Sequence, residues 1–369
     1  MRILLITTHL DVGGIPNYTV TLARVLASRG HDLVVVSSGG ALVERLDGAR
    51  IAHHTVDVRT KSEFHPKVSL GFLRLVHLIR RFRPHLIHAQ TRVTQVIAGL
   101  ASSVTGVPMV STAHGFYRWH AGRKLFPFLG RQVIAISSTV RDQLIEKFHV
   151  APDRVTLVLN GIDWQIPSEP VFTAQVARFR DAFGIGEGRP VIGSVARLAA
   201  VKGHRTLLDA FHRVRAKFPE VLLLIVGDGP ERARLVSQAY DQGDQDCIVL
   251  SGTTDHTAIP LSVMQVFVQP SLQEGFGLAA VEAMAMARPV VASAVEGLLE
   301  VVVDGETGFL VPPGDPQALA LALECLLKEP AKARALGQAG RRRFEQQFTV
   351  ERVVREVEAV YAQVVGEVG

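Results

Sequence analysis

The stretch that decides the fold lies at the start of the chain: Ile3-Leu4-Leu5-Ile6-Thr7-Thr8-His9-Leu10-Asp11-Val12-Gly13-Gly14-Ile15-Pro16-Asn17. Residues 3–6 are apolar at every position. That is the pattern of a short strand buried on both faces, as in a parallel sheet with helices on each side. The glycine pair then interrupts it, and residues 18–28 continue with apolar side chains at helical spacing. Strand, glycine-bearing turn and helix make the first βα unit.

The same alternation runs outward from there. Strand-like runs at residues 33–37, 86–88, 109–112 and 133–136 are separated by amphipathic stretches such as 70–82 and 94–105. The pattern stops at Leu159-Asn160-Gly161-Ile162-Asp163, with Pro167 and Pro170 following. It restarts with runs at 191–195, 222–226, 248–250, 266–268, 290–292 and 309–311. The expected architecture is α/β, with two doubly wound Rossmann-like domains at residues 1–163 and 170–348. Thr349 is read as the N-cap of a terminal helix within 349–369, packing back toward the N-terminal domain. Ligands of open α/β sheets sit beyond the carboxyl ends of the strands, so two such sheets are expected to face each other across a cleft.

Composition agrees with this and excludes other classes. The chain has 369 residues, 47% hydrophobic and 20% charged, which gives ample core material for two domains and rules out disorder. Its two cysteines, Cys247 and Cys325, lack the spacing of a disulfide scaffold or a zinc site, and a reduced compartment fits best. No apolar run reaches the roughly 18 residues of a membrane span. The expected location is cytoplasmic, with peripheral contact at the inner face of the cell membrane left open. Charge is uneven: residues 1–165 carry 20 Lys+Arg against 10 Asp+Glu, and residues 166–369 carry 20 against 25. A basic half beside an acidic half points to two units with different partners, one of them anionic.

Three loops carry the candidate chemistry. Gly13-Gly14, between strand and helix, lets backbone N–H groups approach a phosphate at a helix N-terminus, although an ordinary βα turn reads the same way. Neither this loop nor Gly227-Asp228-Gly229-Pro230 completes a G-x-G-x-x-G fingerprint, which argues against nicotinamide dinucleotides. The second loop follows Gly193 and holds Arg197 and then Lys202-Gly203, two cations at a strand's carboxyl edge that can neutralise a leaving diphosphate. In the third, Pro270-Ser271-Leu272-Gln273-Glu274-Gly275-Phe276-Gly277-Leu278, the amides of Phe276, Gly277 and Leu278 open a helix. A carboxylate there would repel phosphate, so Glu274 is suited to accept hydrogen bonds from sugar hydroxyls, while dipole capping remains the simpler role.

Taken in order, these loops resemble the retaining GT-B glycosyltransferases of glycosyltransferase family 4, the glycosyl transferases group 1. The resemblance rests on Gly13-Gly14, His114-Gly115, Ser137-Ser138, Asn160-Gly161-Ile162-Asp163, Arg197, Lys202-Gly203 and Gly227-Asp228-Gly229-Pro230. It continues through the E-x7-E pair Glu274 and Glu282, Arg288-Pro289, Glu300, Thr307-Gly308-Phe309 and Pro313-Gly314-Asp315, and so spans nearly the whole chain. The resemblance implies that Arg197 and Lys202 hold the donor diphosphate and stabilise it as leaving group. It implies that Glu282 holds the ribose hydroxyls and that Glu274 positions the donor sugar with Gly275 and the amides of Phe276, Gly277 and Leu278. Gly193 and Gly227 would line the nucleotide site, His114 would contact the sugar, and Gly13 and Gly14 would approach its phosphate. Two departures stand out: Pro16, followed by Asn17, stands two positions after the glycine pair, where many relatives have an acidic or amide residue. The glycine pair before the late glutamate reads Val295-Glu296-Gly297-Leu298-Leu299-Glu300.

The expected function is transfer of a hexose, with retention, from a UDP- or GDP-sugar to a glycan or lipid-linked acceptor in cell-envelope polysaccharide or lipopolysaccharide synthesis. No metal or other cofactor is called for beyond the donor. Asp244-Gln245-Asp246 matches the metal-binding D-x-D pattern of another glycosyltransferase fold but reads as a solvated acidic turn. His53, His54, His85, His88 and His120 have no metal-ligand spacing. Residues 116–128 mix five aromatics with three cations and, with Arg80, Arg81 and Arg83, suit an anionic membrane surface as well as they suit inward packing. Nucleic acid is not expected as a partner, since no recognition motif is present. Two alternatives stand beside transfer: a nucleotide-sugar epimerase of the same fold and a non-catalytic nucleotide-sugar-binding protein.

Overall fold

The structure, a computed structural model, describes residues 1–366 apart from 12, 50, 61, 63–64 and 116–127. It contains two parallel sheets, each in its own unit: Met1–Asn160 with Val350–Gly369, and Gly161–Thr349.

The first unit holds β1 (Arg2–Ile6), β2 (Asp32–Ser37), β3 (Ala52–Thr55), β4 (Leu86–Ala89), β5 (Met109–Ala113), β6 (Gln132–Ala135) and β7 (Val155–Leu157). They lie in the order β3-β2-β1-β4-β5-β6-β7, and Ile3 of β1 pairs with Leu33 on one side and Leu86 on the other. Ile3, Leu4, Leu5 and Ile6 are all fully buried, because helices cover both faces of the strand. Two strands, β3 and β7, were not expected from the sequence. Both form sheet edges, and β3 reads Ala-His-His-Thr with mostly exposed side chains, so no continuous apolar run announces it.

The second unit holds β8 (Val191–Val195), β9 (Leu222–Val226), β10 (Ile248–Gly252), β11 (Val266–Gln269), β12 (Val290–Ser293) and β13 (Gly308–Val311). Their order is β10-β9-β8-β11-β12-β13, again parallel throughout. In each sheet the chain winds outward in one direction and then returns to the middle to wind the other way. The direction changes between β1 and β4 in the first sheet and between β8 and β11 in the second. Helices leave in opposite directions at these points, so a crevice opens at the carboxyl ends of those strands.

The last helix, Val350–Gly366, belongs to the first unit. Val350, Val353, Val354, Val357, Val360, Tyr361 and Val364 recur at three- and four-residue intervals, and all are buried in the core that contains Ile3, Leu5, Leu22 and Leu26. Polar contacts fix its register. Glu358 accepts from Arg29 Nε at 2.9 Å and lies 2.8 Å from His31 Nε2, and the Tyr361 hydroxyl lies 2.6 Å from His88 Nδ1. The unit boundary falls at Asn160/Gly161, three residues before the expected position 163. Residues 161–163, expected in the first domain, are held by the second unit, where Ile162 donates its N–H to the Phe348 carbonyl at 2.9 Å and bridges Thr349.

Candidate active site

In the second unit the site is built on loops leaving β8, β9 and β11. The β8 loop passes from Ala196 through Arg197 and Leu198 into a single 3-10 turn, Ala200–Lys202, and then into the helix His204–Arg215. Backbone bonds tie it to both neighbours: Leu198 N donates to the Asp228 carbonyl at 2.9 Å, and Leu272 N donates to the Val201 carbonyl at 2.8 Å. Arg197, Gly227 and the Pro270–Gly277 loop are thereby held along one carboxyl edge.

Glu274 is the centre of this arrangement. Its Oε2 accepts from Lys202 Nζ at 2.6 Å, from Gln269 Nε2 at 2.7 Å and from Ser271 Oγ at 3.2 Å. Its Oε1 has no partner among the described residues and is left to accept from elsewhere. The backbone is fixed too, since Gly297 N donates to the Glu274 carbonyl at 3.2 Å. A Cβ on Gly297 would stand 2.5 Å from Phe276 N and 2.6 Å from Glu274 O, so this single glycine permits the close approach. Arg197, by contrast, is exposed, and its guanidinium has no ion pair or hydrogen bond among the described residues.

Beyond Glu274 and Gly275, Phe276 turns into the core and packs edge-on against Phe348, ring centroids 5.8 Å apart. Gly277 is the N-cap of the helix Leu278–Ala285, which has neither a side-chain cap nor an acidic residue in its first turn. Its N-terminal amides keep the partial positive charge of the helix end. Glu282 lies inside that helix. Burial pushes its carboxyl up to about 7, against a smaller opposing effect of a hydrogen bond from the Thr257 side chain. Gly193 lies within β8, where a Cβ would collide with the Met264 side chain. Packing alone accounts for glycine at this position.

In the first unit, Gly13 caps the helix Gly14–Ser28, and the Asn17 side chain turns back to donate to the Gly13 carbonyl at 3.0 Å. This helix end also lacks a side-chain cap and acidic residues. One turn on, Tyr18 meets His114 edge to face at 4.8 Å, so the glycine-pair helix and the end of β5 converge. His114 Nε2 lies 2.8 Å from Gln90 Oε1, which can only accept, so the ring proton sits on Nε2 and Nδ1 is left as an acceptor. Burial lowers the His114 pKa to about 3, keeping the ring neutral.

The structure thus groups Lys202 with Glu274, and Gly13 and Gly14 with His114. It adds Gln269, Ser271, Gln90 and Tyr18, which the sequence reading did not select. Gln269 and Gln90 are polar residues directly following apolar strand runs and are almost fully buried, a signal present in the sequence. One reading is corrected. Asp244 is not a solvated turn residue but 2% exposed, bonded to Arg215 Nη1 at 2.6 Å and His212 Nδ1 at 2.9 Å. Most of segment 116–128 and His120 lie outside the described residues.

Residues 175–343 match the family Glycosyl transferases group 1, and residues 12–165 match Glycosyltransferase Family 4. The chain is 32% identical over 311 residues to the alpha-maltose-1-phosphate synthase of Mycolicibacterium smegmatis, covering 76% of this chain and 79% of that one. It is 28% identical over 374 residues to the N-acetyl-alpha-D-glucosaminyl L-malate synthase of Bacillus anthracis, covering 97% and 96%. Among solved structures, that of Anabaena HepE in complex with UDP superposes with a TM-score of 0.84 at 22% identity, covering 98% of this chain and all of that one. Two parallel-sheet units of GT-B type, family matches in both halves and this level of identity lead to one conclusion: the chain is a glycosyltransferase and belongs to glycosyltransferase family 4.

Proposed function

We propose that this enzyme moves a hexose from a UDP- or GDP-sugar to a glycan or lipid-linked acceptor of cell-envelope polysaccharide or lipopolysaccharide, with retention at the anomeric carbon. The observation that carries the reading is Glu274, whose Oε2 is held by Lys202, Gln269 and Ser271 while Oε1 stays open beside an uncapped helix end. A carboxylate so held cannot rotate away, and its open oxygen is an acceptor for a sugar hydroxyl. Lys202 and the unpaired Arg197 then supply positive charge for the diphosphate, and Glu282 takes the ribose hydroxyls. Gly13 and Gly14, with the amides of their helix, approach the donor phosphate, and neutral His114 offers Nδ1 to the sugar.

In this scheme the acceptor hydroxyl attacks the anomeric carbon from the face that the diphosphate leaves. The bond from that carbon to the phosphate oxygen breaks, and the hydroxyl proton passes to the departing phosphate. No side-chain nucleophile is needed, and stabilising the developing negative charge is the main task of the site. A UDP-containing complex of the structurally similar HepE supports the nucleotide-sugar donor. Free thiols at Cys247 and Cys325 support a cytoplasmic location, where they stay reduced. The test is thermal unfolding against a panel of nucleotide sugars, followed by incubation of the stabilising donor with and without glycan acceptors. The reading expects a selective rise in melting temperature and acceptor-dependent loss of donor. Acceptor-independent conversion of the sugar would show an epimerase instead.

A further inference from the structure

Between Glu63 and Asp142 lie 78 consecutive residues without a single Asp or Glu, and they contain 11 Lys+Arg. The rest of the chain holds 29 Lys+Arg against 35 Asp+Glu and is net −6. Within this basic stretch the structure describes two neighbouring helices, Pro66–Phe82 and Arg92–Thr105, which share a core through Leu75, Ile79, Val93 and Ile97. The first buries Val68, Leu75, Leu78 and Ile79 on one side. At 100° per residue, Leu70, Leu73, Arg74, His77, Arg80 and Arg81 fall within about a third of the circumference on the opposite side. All six are exposed.

This face is unusual in two ways at once. Leu70 is 50% and Leu73 62% exposed. Arg74, Arg80 and Arg81 enter no ion pair among the described residues. Large apolar side chains left in water beside unpaired arginines fit a surface that is anionic at its headgroups and apolar beneath them. A second copy of the chain meeting the same face would bring arginine against arginine. A nucleic acid would satisfy the cations but leave the leucines in water.

We propose that the face carrying Leu70, Leu73, Arg74, Arg80 and Arg81 docks onto an anionic lipid bilayer. The arginines hold phosphate headgroups while the apolar side chains enter the upper acyl region. No described helix is long and apolar enough to cross a membrane, so the attachment is peripheral. Docking is a property of this face and does not rest on the transfer reaction. Vesicle binding is read without donor, so either can fail alone.

The test is flotation of the full chain with vesicles of phosphatidylcholine containing about 30 mol% phosphatidylglycerol, and with phosphatidylcholine alone. The proposal expects binding to the anionic vesicles only, lost at about 0.5 M salt through screening. Arg80→Ala with Arg81→Ala should weaken it about 30-fold, at about fivefold per cation. Leu70→Ser with Leu73→Ser should also weaken it, at unchanged melting temperature, whereas Leu321→Ser, an exposed leucine of the second unit, should not. Absence of binding at low salt, equal binding to neutral vesicles, or wild-type binding by either double variant overturns the proposal. So does displacement by short duplex DNA with no effect of the leucine substitutions, which would mark a general polyanion site.

Discussion

Lys202 Nζ lies 2.6 Å from Glu274 Oε2, joining two loops 72 residues apart in sequence across the carboxyl edge of the second sheet. Both side chains are largely shielded from water, so the pair is stronger than an exposed ion pair and fixes the carboxylate in one orientation. Lys202 consequently has two tasks in the proposed reaction: holding Glu274 in place and presenting positive charge to the leaving diphosphate.

Removing that charge should be costly to turnover. Lys202→Ala and Arg197→Ala are each expected to lower kcat at least about a hundredfold, the effect of deleting one well-placed electrostatic donor. Lys202→Ala should also raise the KM for the donor sugar, because Glu274 loses its strongest partner. Steady-state kinetics with the cognate donor measure both, and wild-type turnover in the two variants would exclude these assignments.

Gly297→Ala should act on Glu274 from behind. The new Cβ would be 2.5 Å from Phe276 N, so the loop must shift by some tenths of an ångström. Misplacement on that scale is expected to lower kcat about ten- to a hundredfold, together with a fall in melting temperature, because all three neighbours of the new Cβ are backbone atoms. Gly193→Ala should leave the donor site alone. It overpacks Met264 and is expected to destabilise by about 1–3 kcal/mol without selectively weakening donor binding, as chemical denaturation and calorimetry would show.

In the proposed scheme Glu282 should make donor binding, as well as stability, depend on pH. With its folded pKa raised from 4.5 to about 7, the folded chain holds more protons than the unfolded chain between those values. Its contribution to stability therefore falls as pH rises through that window and is flat above it. A protonated carboxyl accepts poorly from two ribose hydroxyls, so nucleotide affinity should fall as pH drops below about 7. Glu282→Gln is expected to bind weakly at every pH and to remove both dependences. A wild-type pH profile of nucleotide affinity in Glu282→Gln would exclude the ribose role.

Acid should act through histidines in the opposite sense. Burial lowers His88 and His114 to about 3 and His204 to about 4, so the unfolded chain binds more protons below about 6.5. Their contribution to stability is present above that pH and is lost progressively as pH falls toward 3. Tyr361→Phe removes the hydroxyl facing His88 Nδ1 and should cost about 1–2 kcal/mol at neutral pH by leaving a buried nitrogen unpartnered. Thermal unfolding across pH measures both effects.

The interior strands were legible because burial on both faces leaves an uninterrupted apolar run, as in β1 and β9. Edge strands β3 and β7 were not, since Ala52-His53-His54-Thr55 reads as a polar connection until Ser37 and His53 are seen paired at 2.8 Å. Lys202 and Glu274 stood out as charges at strand ends, but their contact did not, because sequence spacing says nothing about which loops a parallel sheet brings side by side. Gln269 showed in the sequence only as a polar residue ending an apolar run, because its role exists only through Glu274. Asp244 was misread because its partners, His212 and Arg215, lie on a helix about 30 residues upstream, and nothing local in the acidic turn reveals them.

The most direct measurement is a crystal structure of the enzyme with its intact nucleotide sugar, the donor first selected by thermal shift. The expected result places Arg197 and Lys202 on diphosphate oxygens and Glu274 Oε1 within hydrogen-bond distance of a sugar hydroxyl. A diphosphate bound elsewhere, with Arg197 in solvent and Glu274 touching no part of the sugar, would contradict the account.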